Sequence, residues 1–274
     1  MAQTESKNDL LVDGRWLQQH RGDADTILID TRPAEEYWEG HLDGARHYDP
    51  FPFHHKDTSE RGMDEFRAQL EWIFSALGLS GSETVVFYEN DSGMRAARGL
   101  WALQYSGHRD ARMLDGGLKL ANAKLVTHAE KFARADFRIK SNPELFASYA
   151  HIVDRIGRPN VQIFDVRSDG EYFSERVRAK HGGAIPMAVH QDWTSAQSAE
   201  GNFKAPAELR ANFERLGLDP DCEIIPYCQG GYRSANAYVA LKIAGYQNVR
   251  NYLGSWAEWG NRDDLPIEHP RRKP

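Results

Sequence analysis

Cysteine is scarce in this chain. Its 274 residues include two, Cys222 and Cys228, too few for a disulfide framework. They flank EIIPY, which reads as a strand. Six extended steps of roughly 3.3 Å would set them about 20 Å apart, whereas a disulfide needs Cα atoms within about 7 Å. Two free thiols are therefore expected. Long apolar runs are lacking as well, and no stretch approaches membrane-spanning length. The opening MAQTESKNDLL has neither the basic start nor the apolar segment of a leader. Charge of one sign is weak: the formal net charge is -6, which argues against a general nucleic-acid or membrane binder. The expectation is a cytoplasmic protein with neither partner. A hydrophobic share of 41% and a charged share of 27% are those of a globular chain.

What the chain has is a duplication. ILIDTRPAEEYWEGH (27–41) pairs with QIFDVRSDGEYFSER (162–176), so that Asp30, Arg32, Glu36 and Tyr37 match Asp165, Arg167, Glu171 and Tyr172 at an offset of 135. GHLDGARH (40–47) pairs with GAIPMAVH (183–190) at an offset of 143, so the second copy carries eight extra residues. TVVFYENDSGMRAARGLWALQYSGHRDARMLDGG (84–117) pairs with EIIPYCQGGYRSANAYVALKIAGYQNVRNYLGS (223–255), with Arg95 and Gly107 matching Arg233 and Gly245 at 138. Each copy is domain-sized. The boundaries expected are 1–130 for the first domain, 131–142 for a linker and 143–274 for the second.

Short apolar runs alternate with helical stretches in both copies. TILIDTR, VQIFDVR, TVVFY and EIIPY read as strands. DEFRAQLEWIFSALGL puts Phe66, Leu70, Phe74 and Leu77 on one helical face, and PAELRANFERLGL does the same with Leu209, Phe213 and Leu216. The fold class expected is α/β, each copy a parallel sheet with helices on both faces. Such sheets bind ligands beyond the carboxyl ends of their strands, which is where Cys228 stands.

EIIPY, CQGGYR and SANAYVALKIAGY read as strand, loop and helix. Gly230 and Gly231 let the backbone curl. A curled loop turns successive N–H groups inward as an anion nest, and the helix aims its positive end at the same point. Arg233 adds a permanent cation. A thiol in that field loses its proton readily, so Cys228 is the candidate nucleophile. In the first copy the loop reads ENDSGMR. Glu89 or Asn90 falls at the cysteine position, no nucleophile is present, and this half is expected to be catalytically silent.

The chain resembles two-domain rhodanese sulfurtransferases of the thiosulfate and 3-mercaptopyruvate family. DTRPAEEYWEGHLDGA, VRNYLGSWAEWGNRDDLPIE and CQGGYRS carry the resemblance, which covers nearly the whole chain. It implies an active C-terminal half and an inactive N-terminal half. It also implies that Cys228 takes a sulfane sulfur as a persulfide and passes it to a thiol, a protein thiol or cyanide, without cofactor or metal. The N–H groups from Gln229 through Ser234, including those of Gly230, Gly231 and Tyr232, would cradle the sulfur. The donor would be a small anion met by Arg233 and by Arg167, an arginine position the family uses against the donor. Since Arg32 is the twin of Arg167, a structural pairing is the other reading. The eight-residue insertion carries Arg176, Arg178, Lys180 and His181, a basic strip in which Arg176 is the first candidate for substrate recognition. Arg233 closing the loop favours thiosulfate as donor. The uncharged QGGY keeps 3-mercaptopyruvate open.

Two other classes fit the loop less well. A cysteine phosphatase or arsenate reductase places five residues between Cys and Arg, and here there are four. A non-enzymatic sulfur-relay module would keep the cysteine but lack turnover. His54 and His55 read as a surface loop, His41 as structural, Trp256 and Trp259 as helix packing, Cys222 as inert and HPRRKP as a frayed tail. A monomer is the default for two domains that cover each other's faces.

Overall fold

The computed structural model describes residues 10–272. The first nine residues, which include most of the stretch read for a leader, and the last two of the tail lie outside the described residues. No helix among the described residues is long and apolar enough to cross a membrane.

The N-terminal copy is built on a five-stranded, wholly parallel sheet. In order across the sheet its strands are Leu11–Val12, Ala111–Leu114, Thr84–Tyr88, Thr26–Asp30 and Arg46–His47. The C-terminal copy repeats its centre: Val161–Asp165 lies between Val189–His190 and Glu223–Tyr227, again parallel. A short parallel pair, Phe146–Ala147 with Asn251–Tyr252, extends it. The central strands are buried on both faces, as all-parallel sheets require.

The helices follow the spacing of their apolar residues. Ser59 caps the helix Glu60–Ala76 by accepting from the Gly62 amide. Phe66, Leu70 and Phe74 line its buried face and Leu77 closes it. Pro206 occupies the first turn of Pro206–Arg215, where its missing N–H costs nothing, and Leu209 and Phe213 are buried. Leu216 packs at the core's edge.

Two duplicate helices join the copies. Met94–Tyr105 and Arg233–Ile243 pack directly on each other, and their residues belong to one apolar core spanning both domains. Every residue from Ser234 to Leu241 is buried. The segment expected as a linker has no regular elements, but it is not loose. It straps the N-terminal domain: Ala135 N donates to Ser75 O at 3.0 Å, Lys140 N to Ser106 O at 3.0 Å and Asn142 N to Tyr105 O at 2.7 Å, satisfying carbonyls at helix ends. Phe137 is buried beneath it.

Candidate active site

The strand Glu223–Tyr227 delivers Cys228 to its carboxyl end, and the helix Arg233–Ile243 starts five residues later. The loop between them is pinned from the segment after Tyr252. Cys228 N donates to Ser255 Oγ at 3.1 Å, Trp256 N to Cys228 O at 2.9 Å and Ala257 N to Gln229 O at 2.8 Å. Gly231 alone in the loop has positive φ, +84°, and a Cβ there would lie 2.6 Å from Leu253 O. Gly230 serves differently: its missing side chain makes room for the His54 ring. Cys222 and Cys228 are both free and buried.

The curl does to the thiol what the sequence leads one to expect. Gly231 N–H donates to Cys228 Sγ at 3.2 Å. Burial alone would push the thiol's pKa up. The Arg233 charge, the amides of Ser234 and Gly230 and the Ser234 hydroxyl outweigh it and hold the pKa below the ordinary value. Arg233 is itself held by Glu171, at 2.6 and 2.9 Å, and Arg178 reaches the same carboxylate at 3.3 Å. Burial would push the Glu171 carboxyl up, but the Arg233 guanidinium and the Ser168 cap hold it down to about 2.

Above Cys228 is a cavity of about 440 Å³, lined by Arg178, Gln229 and Arg233 and, from the other domain, Phe51, His54 and Met94. Gln229 Nε2 is tied to Arg178 O at 3.2 Å. The Tyr232 ring stacks on Phe51 with centroids 4.5 Å apart, and its hydroxyl donates to Pro50 O at 2.8 Å. The N-terminal domain is thus a wall of the pocket.

Two expectations change here. Arg167 does not reach the cavity. It is 1% exposed, its Nη2 donates to Asp165 at 2.6 Å and to Gly183 O at 2.7 Å, and Trp256 stacks on it at 4.4 Å. Arg32 repeats this with Asp30 and Gly40 O, both at 2.6 Å. A fully enclosed ion pair presents no surface to a donor. In the inserted strip Arg178, not Arg176, faces the cavity, while Lys180 and His181 are paired with Asp263. His54 is exposed in a loop, as expected, and it also borders the cavity. Its ring lies over Gly230 and beside Tyr232, and partial desolvation with the Arg98 charge lowers its pKa to about 4. Sequence reasoning missed it because its partner loop is 174 positions away in the chain.

The N-terminal copy has no thiol at the equivalent position. Asp30 and Asp165 stand opposite Tyr88 and Tyr227 in the two sheets, so Glu89 is the counterpart of Cys228. Its carboxylate folds into its own loop and accepts from Arg95 N at 2.7 Å and Ala96 N at 3.0 Å. The nest that holds a thiol in one copy is filled by a side chain in the other. Among the described residues Asp43, His128 and Glu130 come together on the exposed surface; His128 and Asp43 pair at 3.6 Å, and they take no part in this site.

The family model described as Rhodanese-like domain matches twice, at residues 13–124 and 148–262. The chain is 34% identical to a thiosulfate sulfurtransferase of Azotobacter vinelandii over 94% of this chain and 97% of the relative. It is 32% identical to one of Pseudomonas aeruginosa with the same coverage. A protein named sulfur carrier protein TtuD, of Thermus thermophilus, is 30% identical over 94% of this chain and 96% of its own. Among solved structures, wild-type EanB superposes with a TM-score of 0.85 at 21% identity, covering 99% of this chain and 72% of that one. YnjE does so at 0.82 and 22%, covering 96% and 69%. The chain belongs to the rhodanese family, with two rhodanese-like domains in tandem.

Proposed function

We propose that the protein is a sulfurtransferase that moves the sulfane sulfur of thiosulfate to a thiophilic acceptor through a persulfide on Cys228. The observation that carries this reading is the Cys228 thiol, buried at a strand end with Gly231 N–H 3.2 Å from its sulfur and Arg233 as the largest influence lowering its pKa. Relatives named thiosulfate sulfurtransferase over nearly the whole chain support it.

In the first half-reaction the thiolate attacks the outer sulfur of thiosulfate. The bond to the sulfonate sulfur breaks, sulfite leaves with the electron pair, and Cys228 holds an anionic persulfide. In the second half-reaction a nucleophile such as cyanide takes the outer sulfur and the thiolate is restored. Neither step needs a proton donor or an external oxidant, and a covalent intermediate implies ping-pong kinetics. The amides of Gly230, Gly231 and Ser234 stabilise both anionic states of the cysteine. Arg178 and Arg233 receive the donor's charge at the cavity wall.

One feature supports 3-mercaptopyruvate as a second reading. Glu171 sits between Arg233 and Arg178, so the three groups together carry one net positive charge. That suits a monoanionic carboxylate as well as a dianion.

Intact mass after incubation with thiosulfate tests the proposal. One added sulfur atom, removed by cyanide and absent in Cys228→Ala, is the expected result. A gain with 3-mercaptopyruvate alone would change the donor. No gain with either would overturn the sulfur-carrier reading.

A further inference from the structure

Arg98 lies on the helix Met94–Tyr105 of the silent domain, yet it faces the catalytic loop. It is 3% exposed, and its Nη1 has no hydrogen-bond partner. That nitrogen is 3.4 Å from the point where a Gly231 Cβ would stand, and Gly231 is the residue whose N–H holds the thiol. The guanidinium is packed among rings: Trp101 at 4.8 Å, and Phe66 and Tyr232 at 5.3 Å. A buried guanidinium without a counter-ion is strongly destabilising, so something must compensate.

Burial holds the Arg98 pKa below the ordinary guanidinium value, and the groups that act against it are Tyr232, Tyr48 and Cys228, with no carboxylate among them. Burial holds both tyrosines above the ordinary phenol range, hence neutral. Cys228 is then the group that supplies an anion. The duplication supports the same direction. Asn236 is the counterpart of Arg98 at the 138 offset. Its Nδ2 crosses the other way, donating to Ser92 O at 2.8 Å and Gly93 O at 3.1 Å in the silent loop. Each helix sends this side chain into the opposite domain's loop, and the cation goes to the loop that carries a thiol.

We propose that Arg98 is a positioning residue for catalysis, a buried cation supplied by the inactive domain that stabilises the Cys228 thiolate and its persulfide from behind the loop. This rests on Cys228 being the reactive group. Arg233 and the loop amides remain the larger influences on the sulfur. Arg98 differs from them in being carried by the other domain, so the site is complete only when the domains are docked. The inactive copy therefore contributes charge as well as a wall. The other titratable groups around the sulfur are Glu171 and Arg178 beside Arg233, and His54 and Tyr232 at the cavity.

The test is the pH dependence of Cys228 alkylation by iodoacetamide in the full chain, read by peptide mass for Arg98→Met and Arg98→Lys. Arg98→Met is expected to raise the apparent thiol pKa by about 0.5–1 unit and to slow alkylation at neutral pH about 3–10-fold. Arg98→Lys, which keeps the charge, is expected to stay close to the native value. If Arg98→Met does not yield folded protein, Arg98→Gln is read in the same way. An unchanged pKa in the folded neutral variant, or the same shift in the lysine variant, would overturn the proposal. Because alkylation needs no sulfur donor, this result stands apart from the persulfide test: sulfur loading can fail while the thiol pKa still responds to Arg98, and the reverse.

Discussion

Glu171 holds the Arg233 guanidinium by two hydrogen bonds, at 2.6 and 2.9 Å, with its own carboxylate almost enclosed. The cation that favours the thiolate is thus aimed by a residue on the short helix Asp169–Tyr172 that follows the strand Val161–Asp165. Glu171→Gln keeps the shape but loses the charge that fixes Arg233. It is expected to lower kcat/KM for sulfur transfer about 10-fold or more. Glu171 has a folded pKa of about 2 against an ordinary 4.5, so its stabilising contribution is present above pH 4.5 and lost as pH falls towards 2. Urea unfolding between pH 3 and 7 checks this: the stability gap between native and Glu171→Gln protein should narrow as pH falls.

Glu89 carries the opposite sign. Burial raises its pKa to about 7, against the two amides that hold it. The folded state binds this proton more tightly than the unfolded chain does. Stability therefore falls as pH rises from the ordinary carboxyl value towards 7 and then levels off. Glu89→Gln keeps an oxygen for the amides of Arg95 and Ala96 and removes the buried charge. It is expected to be more stable than the native protein by about 1–3 kcal/mol at pH 8, with the difference vanishing near pH 4.5. Denaturation midpoints at the two pH values measure it. A gap that is the same at both would show that the carboxylate is not the titrating group.

The two loop glycines should respond unequally to alanine. Gly231 has φ +84° and backbone oxygen 2.6 Å from its missing Cβ, whereas Gly230 meets only the edge of the His54 ring. A side chain moves more easily than a backbone. Gly231→Ala is expected to destabilise by about 2 kcal/mol or more and to abolish activity by turning its N–H from the sulfur. Gly230→Ala is expected to fold and to keep measurable alkylation of Cys228, with His54 displaced. Thermal unfolding and alkylation of both variants decide the point.

Much of this was open to reading in the sequence because it is local or repeated. The alternation of apolar runs and helical faces sets the α/β class, and paired blocks at nearly constant offset reveal two copies. CQGGYR states its own chemistry: a thiol, a curl and a cation within six residues. The eight-residue insertion was visible as a jump in offset, and the structure shows what it does. Arg32 reaches the carbonyl of Gly40 and Arg167 that of Gly183, the same bond across loops of different length, with Arg178 on the added turn at the cavity wall.

What the linear order could not decide was direction. Arg167 and Arg178 look alike as basic residues near a strand end, but Asp165 and the Trp256 ring enclose one while the other faces the cavity. His54 and Arg98 lie in the half without a nucleophile, and nothing near them in the chain marks them as part of the site. The packing of Met94–Tyr105 on Arg233–Ile243 brings them there, because apolar helix faces too large to leave exposed bury each other and carry their polar neighbours across the domain boundary. The sequence by itself determined the copies, the strands and helices, and the candidate nucleophile. Tertiary packing decided which cations are spent inside the fold and which remain to meet an anion.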